Sequence, residues 1–227
     1  MREENDSLLI HSALWYSHKA FFFCEDSFMK TIYIKEILLM SSKTNSSQNV
    51  QKLVQAAMLA ALSLILMVVV RFPIFAAAPF LEYDMADVPV LIASLILGPG
   101  YGLAVLLVTC AIQAFTVSAS AGIWGFIMHF ISSGALVLVS SLIFKKKPDA
   151  KGLVLGLLAG AIVMVLLMIP LNILITPIYT GAPRAAVIGM LVPIIIPFNA
   201  IKAVINTVVT GIVYFPLTKA LKSLKLI

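Results

Sequence analysis

From Val50 onward the chain is a series of long apolar runs punctuated by short breaks, the pattern of a helical bundle that crosses a membrane several times. The first run, Leu53 to Val70, closes at Arg71 and Pro73. After a loop through Asp87, a shorter second run from Val88 to Leu97 stops at the turn signal Gly98-Pro99-Gly100. A third run covers Tyr101 to Val117, and the small-residue loop Ser118 to Gly122 separates it from a fourth, Ile123 to Phe144, ended by Lys145-Lys146-Lys147-Pro148. The fifth is Leu153 to Ile175. The sixth, after a loop with Pro177, Gly181 and Pro183, is Met190 to Leu217, and Pro193 and Pro197 predict an irregular or kinked first part. The expected fold is an all-α integral membrane protein, a bundle of six transmembrane helices.

Composition agrees: 61% of the 227 residues are hydrophobic and 11% charged, against about 25% charged in soluble domains. Too little polar surface remains for a soluble catalytic domain. Charge is distributed unevenly. Residues 1–39 carry a net −2 and the remainder +8. Basic residues of short loops stay in the cytoplasm. With Lys43 and Lys52 inside, six crossings also place the Lys145–Lys151 loop and the Lys219–Lys225 tail inside, so both termini are expected to be cytoplasmic in a multi-pass cell-membrane protein. Three of the four acids beyond residue 39, Glu82, Asp84 and Asp87, then gather in an outer loop.

Residues 1–39 fit neither a span nor a secretory signal: the apolar run at Phe21–Phe23 is cut by Glu25 and Asp26, and the first residues are acidic. Met40 opens a polar leader like an ordinary cytoplasmic start. The preferred division is therefore a dispensable extension at 1–39 and a membrane domain at 40–227, the rival being a disordered or interfacial amphipathic extension. Cys24 and Cys110 form no metal-type or disulfide pattern.

The outer loop from Arg71 to Pro89 is apolar yet ends in carboxylates interleaved with Tyr83 and Met85. Such a loop suits a cover over a ligand. Asp87 before Val88-Pro89 reads instead as a helix N-cap. In the sixth run, Asn199 and Lys202 are three apart and share a helix face. A lysine within an apolar helix costs about 2.5–3.5 kcal/mol at the helix centre, so it calls for a partner or a ligand. Asn172 beside Pro170, and Asn206 one turn beyond Lys202, also need hydrogen-bond partners. Gln113, Thr109 and His129 are further polar points, and His129 reads as a satisfied structural histidine. Ala56, Ala57, Ala60 and Ala61 on the first helix, and Gly152, Gly156 and Gly160 on the fifth, let another helix approach closely. Intramolecular packing is the default, with intermolecular docking a competitor on the first helix. No phosphate-cradling loop, metal-binding histidine cluster or nucleophile elbow occurs, which argues against ATP hydrolysis by the chain itself and against an enzyme.

The ordered combination of the Ala-rich first helix, the segment Leu81-Glu82-Tyr83-Asp84-Met85-Ala86-Asp87-Val88-Pro89, Gly98-Pro99, the lysine loop and Pro197-Phe198-Asn199-x-x-Lys202 resembles the riboflavin-specific substrate-binding (S) component of energy-coupling factor (ECF) transporters. The resemblance covers about residues 50–225; the leader has no counterpart in it. It implies a vitamin pocket near the extracellular end, capped by the loop between helices one and two. Asn199 and Lys202 would donate to the flavin or its ribityl chain, with Asn172 a further polar contact. The 75–84 loop, including Phe75, Ala76, Leu81, Glu82, Tyr83 and Asp84, would add aromatic, aliphatic and backbone contacts. Ala56, Ala57, Ala60 and Ala61 would dock on a separate transmembrane (T) subunit driven by two ATP-binding subunits. Riboflavin would be the transported ligand, with no cofactor, no metal and no nucleic-acid partner. The alternatives are an S component for another vitamin or vitamin precursor, a stand-alone carrier or structural membrane subunit, and, most distant, an integral-membrane enzyme.

Overall fold

The structure, a computed structural model, describes residues 48–223. The expectations for residues 1–39, for the start at Met40 and for the last residues of the basic tail lie outside the described residues. The compact unit begins at Gln51.

Helix α1, Gln48–Val69, is followed by a small hairpin, β1 (Arg71–Pro73) and β2 (Glu82–Asp84). Then come α2 (Asp87–Ile96), α3 (Pro99–Phe115), α4 (Gly122–Lys146), α5 (Ala150–Thr180) and α6 (Arg184–Met190). A π-helical turn, Leu191–Ile195, joins α6 to α7, Ile196–Ser223. Four helical runs, α1, α4, α5 and the continuous Arg184–Ser223, are long and apolar enough to cross a membrane; α2 and α3 are apolar but shorter.

Two boundaries differ from the hydropathy reading, and one expected irregularity takes a specific form. Helix α5 runs through Pro177 to Thr180 and ends at Gly181, whose φ of 70° suits a glycine cap, so Pro177 is not in a loop. The last run starts at Arg184 rather than Met190, because Pro183 precedes a good helix start and Arg184–Met190 form helix although they are largely exposed. The expected irregularity around Pro193 takes the form of the π turn, a way to absorb a residue without an amide hydrogen.

The outer loop contains antiparallel pairing, with Arg71 opposite Asp84, Phe72 opposite Tyr83 and Pro73 opposite Glu82. Both strands have only three residues, too short for alternation to reveal. Arg71 holds the hairpin from its side: Nε donates to Glu82 Oε2 at 2.7 Å, Nη2 pairs with the same oxygen, and Nη2 also donates to Ser118 Oγ at 3.3 Å in the α3–α4 loop. Phe72 and Tyr83 rings sit 5.4 Å apart. At the hairpin exit, Ser63 Oγ of α1 donates to Ala86 O at 2.7 Å.

The glycine stripe of α5 packs within the molecule, against α4. A Cβ on Gly156 would lie 2.6 Å from Ser140 O, and one on Gly160 would lie 2.8 Å from Leu136 O. The alanine patch of α1 divides. Ala56 belongs to the main core, with Ala60 packed against it, whereas Ala57 and Ala61 are exposed beside Leu53, Val54, Met58, Leu62 and Ile65.

Candidate ligand-binding site

Lys202 is the residue around which the site is organised. Helix α7 carries it inward at 7% exposure, one turn after Phe198 and Asn199, which are also buried. At that exposure bulk solvent does little to solvate the ammonium, so its charge needs a partner. That partner comes from the hairpin: Lys202 Nζ donates to Asp84 Oδ2 at 3.1 Å. Gln113 Nε2 of α3 donates to the same oxygen at 3.3 Å, and the Ala86 amide donates to Asp84 Oδ1 at 3.1 Å.

A second carboxylate extends the network. Asp87, 1% exposed, accepts from His129 Nε2 at 3.0 Å, Ser133 Oγ at 3.1 Å and Asn206 Nδ2 at 3.2 Å. Ala86 is the residue at the N-cap of α2, and no side chain caps it, so Asp87 is not the cap its sequence position suggested. In this buried first turn its side chain is satisfied by three side-chain donors from α4 and α7. His129 joins the two carboxylates. Nδ1 faces Gln113 Oε1 at 2.8 Å, and the orientation of Gln113 is set by its amide pointing at Asp84. Both imidazole nitrogens therefore face side-chain oxygens. His129 is satisfied, as its sequence setting suggested, but by a carboxylate 42 residues away.

Beside this network lies a cavity. Asn199, Lys202, Asn172, Leu81, Glu82 and Asp84 line it, and so do Gln113 and His129. The rest of the wall is soft and aromatic, with Met128, Met164 and Met168 against Phe80, Phe126 and Phe198. Thioethers and rings suit a planar apolar body. Asn199 Nδ2 donates to Ile195 O at 2.8 Å, and its buried Oδ1 has no partner. A buried acceptor left unpaired costs about 1–3 kcal/mol. Asn172 is occupied locally, donating to Met168 O at 2.8 Å and accepting from Thr176 Oγ1 at 2.9 Å.

Three loop residues named from the sequence lie elsewhere. Phe75 packs on a second apolar cluster with Ala78, Leu81, Val187 and Ile195, Ala76 is exposed, and Tyr83 turns toward α7 and away from the cavity. Tyr83 OH donates to Asn206 Oδ1 at 2.9 Å. Asn206 in turn donates to Asp87, so Tyr83 supports the network from behind. Burial pushes its phenol up to about 12. The neutral ring is favoured in the folded state, so its contribution to stability is complete below about pH 10 and is lost as pH climbs toward 12. Tyr83→Phe should remove that alkaline loss and destabilise the protein by about 1–3 kcal/mol through the unpaired Asn206 Oδ1, as read by thermal unfolding between pH 7 and pH 11.

An apolar helical membrane protein whose helices and hairpin wall a cavity with a few fixed polar groups is a small-molecule-binding membrane protein. Residues 51–214 match the family description "ECF transporter, substrate-specific component". The chain belongs to this family of ECF transporter S components, which are transporter subunits and not enzymes. It is 36% identical over 176 residues to the riboflavin transporter FmnP of Bacillus subtilis, covering 74% of this chain and 92% of that protein. It is 32% identical to the riboflavin transporter RibU of Streptococcus thermophilus, over 78% of this chain and 87% of that one. A solved S component of a bacterial ECF transporter superposes with a TM-score of 0.66 at 31% identity, covering 77% of this chain and 99% of that structure.

Proposed function

We propose that this chain captures riboflavin in the cavity between the hairpin and helices α3, α4, α5 and α7 and delivers it after docking on a separate energising module. The observation that carries this reading is the unpartnered Asn199 Oδ1 beside Lys202 in a wall of methionine and aromatic side chains. A tricyclic heterocycle with an imide N–H and a polyol tail offers a donor for Asn199, acceptors for Lys202 and Gln113, and apolar surface for the rest. The relatives named as riboflavin transporters support the choice of ligand. Leu81, Glu82 and Asp84 would face the ligand from the hairpin, and Asn172 from α5. Phe75, Ala76 and Tyr83 would act by shaping and holding that hairpin.

In the membrane the α6–π–α7 run would count as one span, giving six with α1 to α5. The lysines at 145–147, 151, 219 and 222 would face the cytoplasm with both termini, and the hairpin would face outside. The module would comprise a T subunit and two ATP-binding subunits. Ala57 and Ala61, on the outward face of α1, would meet the T subunit, whereas Ala56 and Ala60 serve the core. In cells expressing this chain with its energising module, Ala57→Trp with Ala61→Trp should abolish riboflavin uptake and leave binding to the purified subunit intact. Undiminished uptake would remove the docking role.

A further inference from the structure

The acidic and basic groups around the cavity are paired one to one. Glu82, Asp84, His129 and Lys202 line it, and each is paired: Glu82 with Arg71, Asp84 with Lys202, His129 with Asp87. Arg71 and Asp87 complete three acids and three bases. Lys202 is the one ammonium group among the described lining residues, and it is committed to a carboxylate that is itself 3% exposed. We infer that Asp84 is a specificity-determining residue, which balances the charge of Lys202 and selects an uncharged ligand over its phosphate ester. The inference rests on the riboflavin reading and adds to it the chemical class that the site refuses.

A phosphate monoester brings a charge of about −1.5 to −2 near neutral pH. In this cavity it meets Glu82 and Asp84 as well as Lys202. A phosphate oxygen can reach a remaining N–H of the ammonium, but the charge of Lys202 is already balanced by Asp84, and the Asp84 carboxylate beside it faces the incoming dianion in a medium where like charges repel strongly. Neutral hydroxyls on a polyol carry no such penalty, since they accept from Lys202 while it stays on Asp84.

The test is a pair of titrations on the full chain, with riboflavin and with riboflavin 5′-phosphate, giving a ratio of dissociation constants for each variant. Asp84→Asn frees Lys202 and should lower the phosphate-to-riboflavin ratio by about tenfold or more. Lys202→Gln leaves Asp84 uncompensated and should raise it, and the double variant should return near the wild-type ratio. Unchanged ratios in both single variants, with cooperative melting retained, would overturn the inference. Should the single variants fail to fold, the wild type decides with the uncharged 5′-acetate ester. Tighter binding of the acetate than of the phosphate supports exclusion by charge, and equal weakening shows exclusion by bulk and overturns it. Absence of riboflavin binding to the wild type would instead retire the underlying ligand reading.

Discussion

Lys202→Ala is expected to cost the folded protein about 3–5 kcal/mol, more than the loss of a single ligand contact, because it strands the carboxylate of Asp84 at 3% exposure with only neutral donors beside it. Thermal unfolding in detergent should show this as a large drop in midpoint. The two roles of the lysine separate in a compensated variant. Asp84→Leu with Lys202→Met replaces the buried pair by apolar groups of similar bulk, and such replacements are often neutral or stabilising. Stability should return in that variant while riboflavin affinity should not, because no ammonium remains to donate. Asn199→Ala removes an acceptor that is already unpartnered without ligand together with one donor to the Ile195 carbonyl, so it should cost no more than about 1.5 kcal/mol of stability and weaken binding by about 1–3 kcal/mol. If Asn199→Ala destabilised the protein as much as Lys202→Ala, the division between network and ligand contact would be lost.

The second large effect lies where α4 and α5 cross. An added methyl in a helix interior gains up to about 1 kcal/mol from propensity when glycine becomes alanine. At Gly156 and Gly160 the methyl would sit within 3 Å of the carbonyls of Ser140 and Leu136, backbone atoms that cannot swing aside as a side chain does. Overpacking should therefore win. Gly156→Val or Gly160→Val should destabilise by about 2–3 kcal/mol in thermal unfolding. Gly211→Ala on α7 is the matched control, because a Cβ there meets only Leu157 Cδ1 at 3.7 Å, and it should be neutral or slightly stabilising. Equal destabilisation at Gly211 would mean that helix glycines act here through flexibility and not through close approach.

What the linear chain reveals about this molecule follows from the range of the forces involved. The long apolar runs come close to α1, α4 and α5 at their starts because exclusion from water is a local property of a segment. Asn199 and Lys202 stand out for the same reason: a polar pair within an apolar helix is costly wherever its partners lie. The partner of Lys202 is another matter. Asp84 is 118 residues away, and nothing in its immediate neighbours distinguishes a carboxylate bound for a buried ammonium from one left in water. Asp87 looked like a helix cap because caps are local, whereas its bond to His129 spans 42 residues and depends on how α2 and α4 pack. Gln113 was visible as a polar point in an apolar helix, but its position between Asp84 and His129 is a property of three elements meeting. The hairpin was hidden by brevity, with Pro73 in β1 weakening any strand signal. The passage of α5 through Pro177 was hidden because proline marks a stop only when neighbouring helices do not hold the turn in place.

The split of the alanine patch illustrates the same limit. Four alanines at helical spacing announce a close approach without saying to what. The fold turns Ala56 into the core and Ala57 outward, so one sequence feature serves two surfaces.

The central claim is that the cavity beside Asn199 and Lys202 holds riboflavin. Titration of the purified full-length protein into riboflavin, followed by quenching of flavin fluorescence, tests it most directly. Saturable quenching with a submicromolar dissociation constant, weakened by Asn199→Ala while that variant still melts cooperatively, is the predicted result; a folded wild-type protein that leaves the fluorescence unchanged would contradict it.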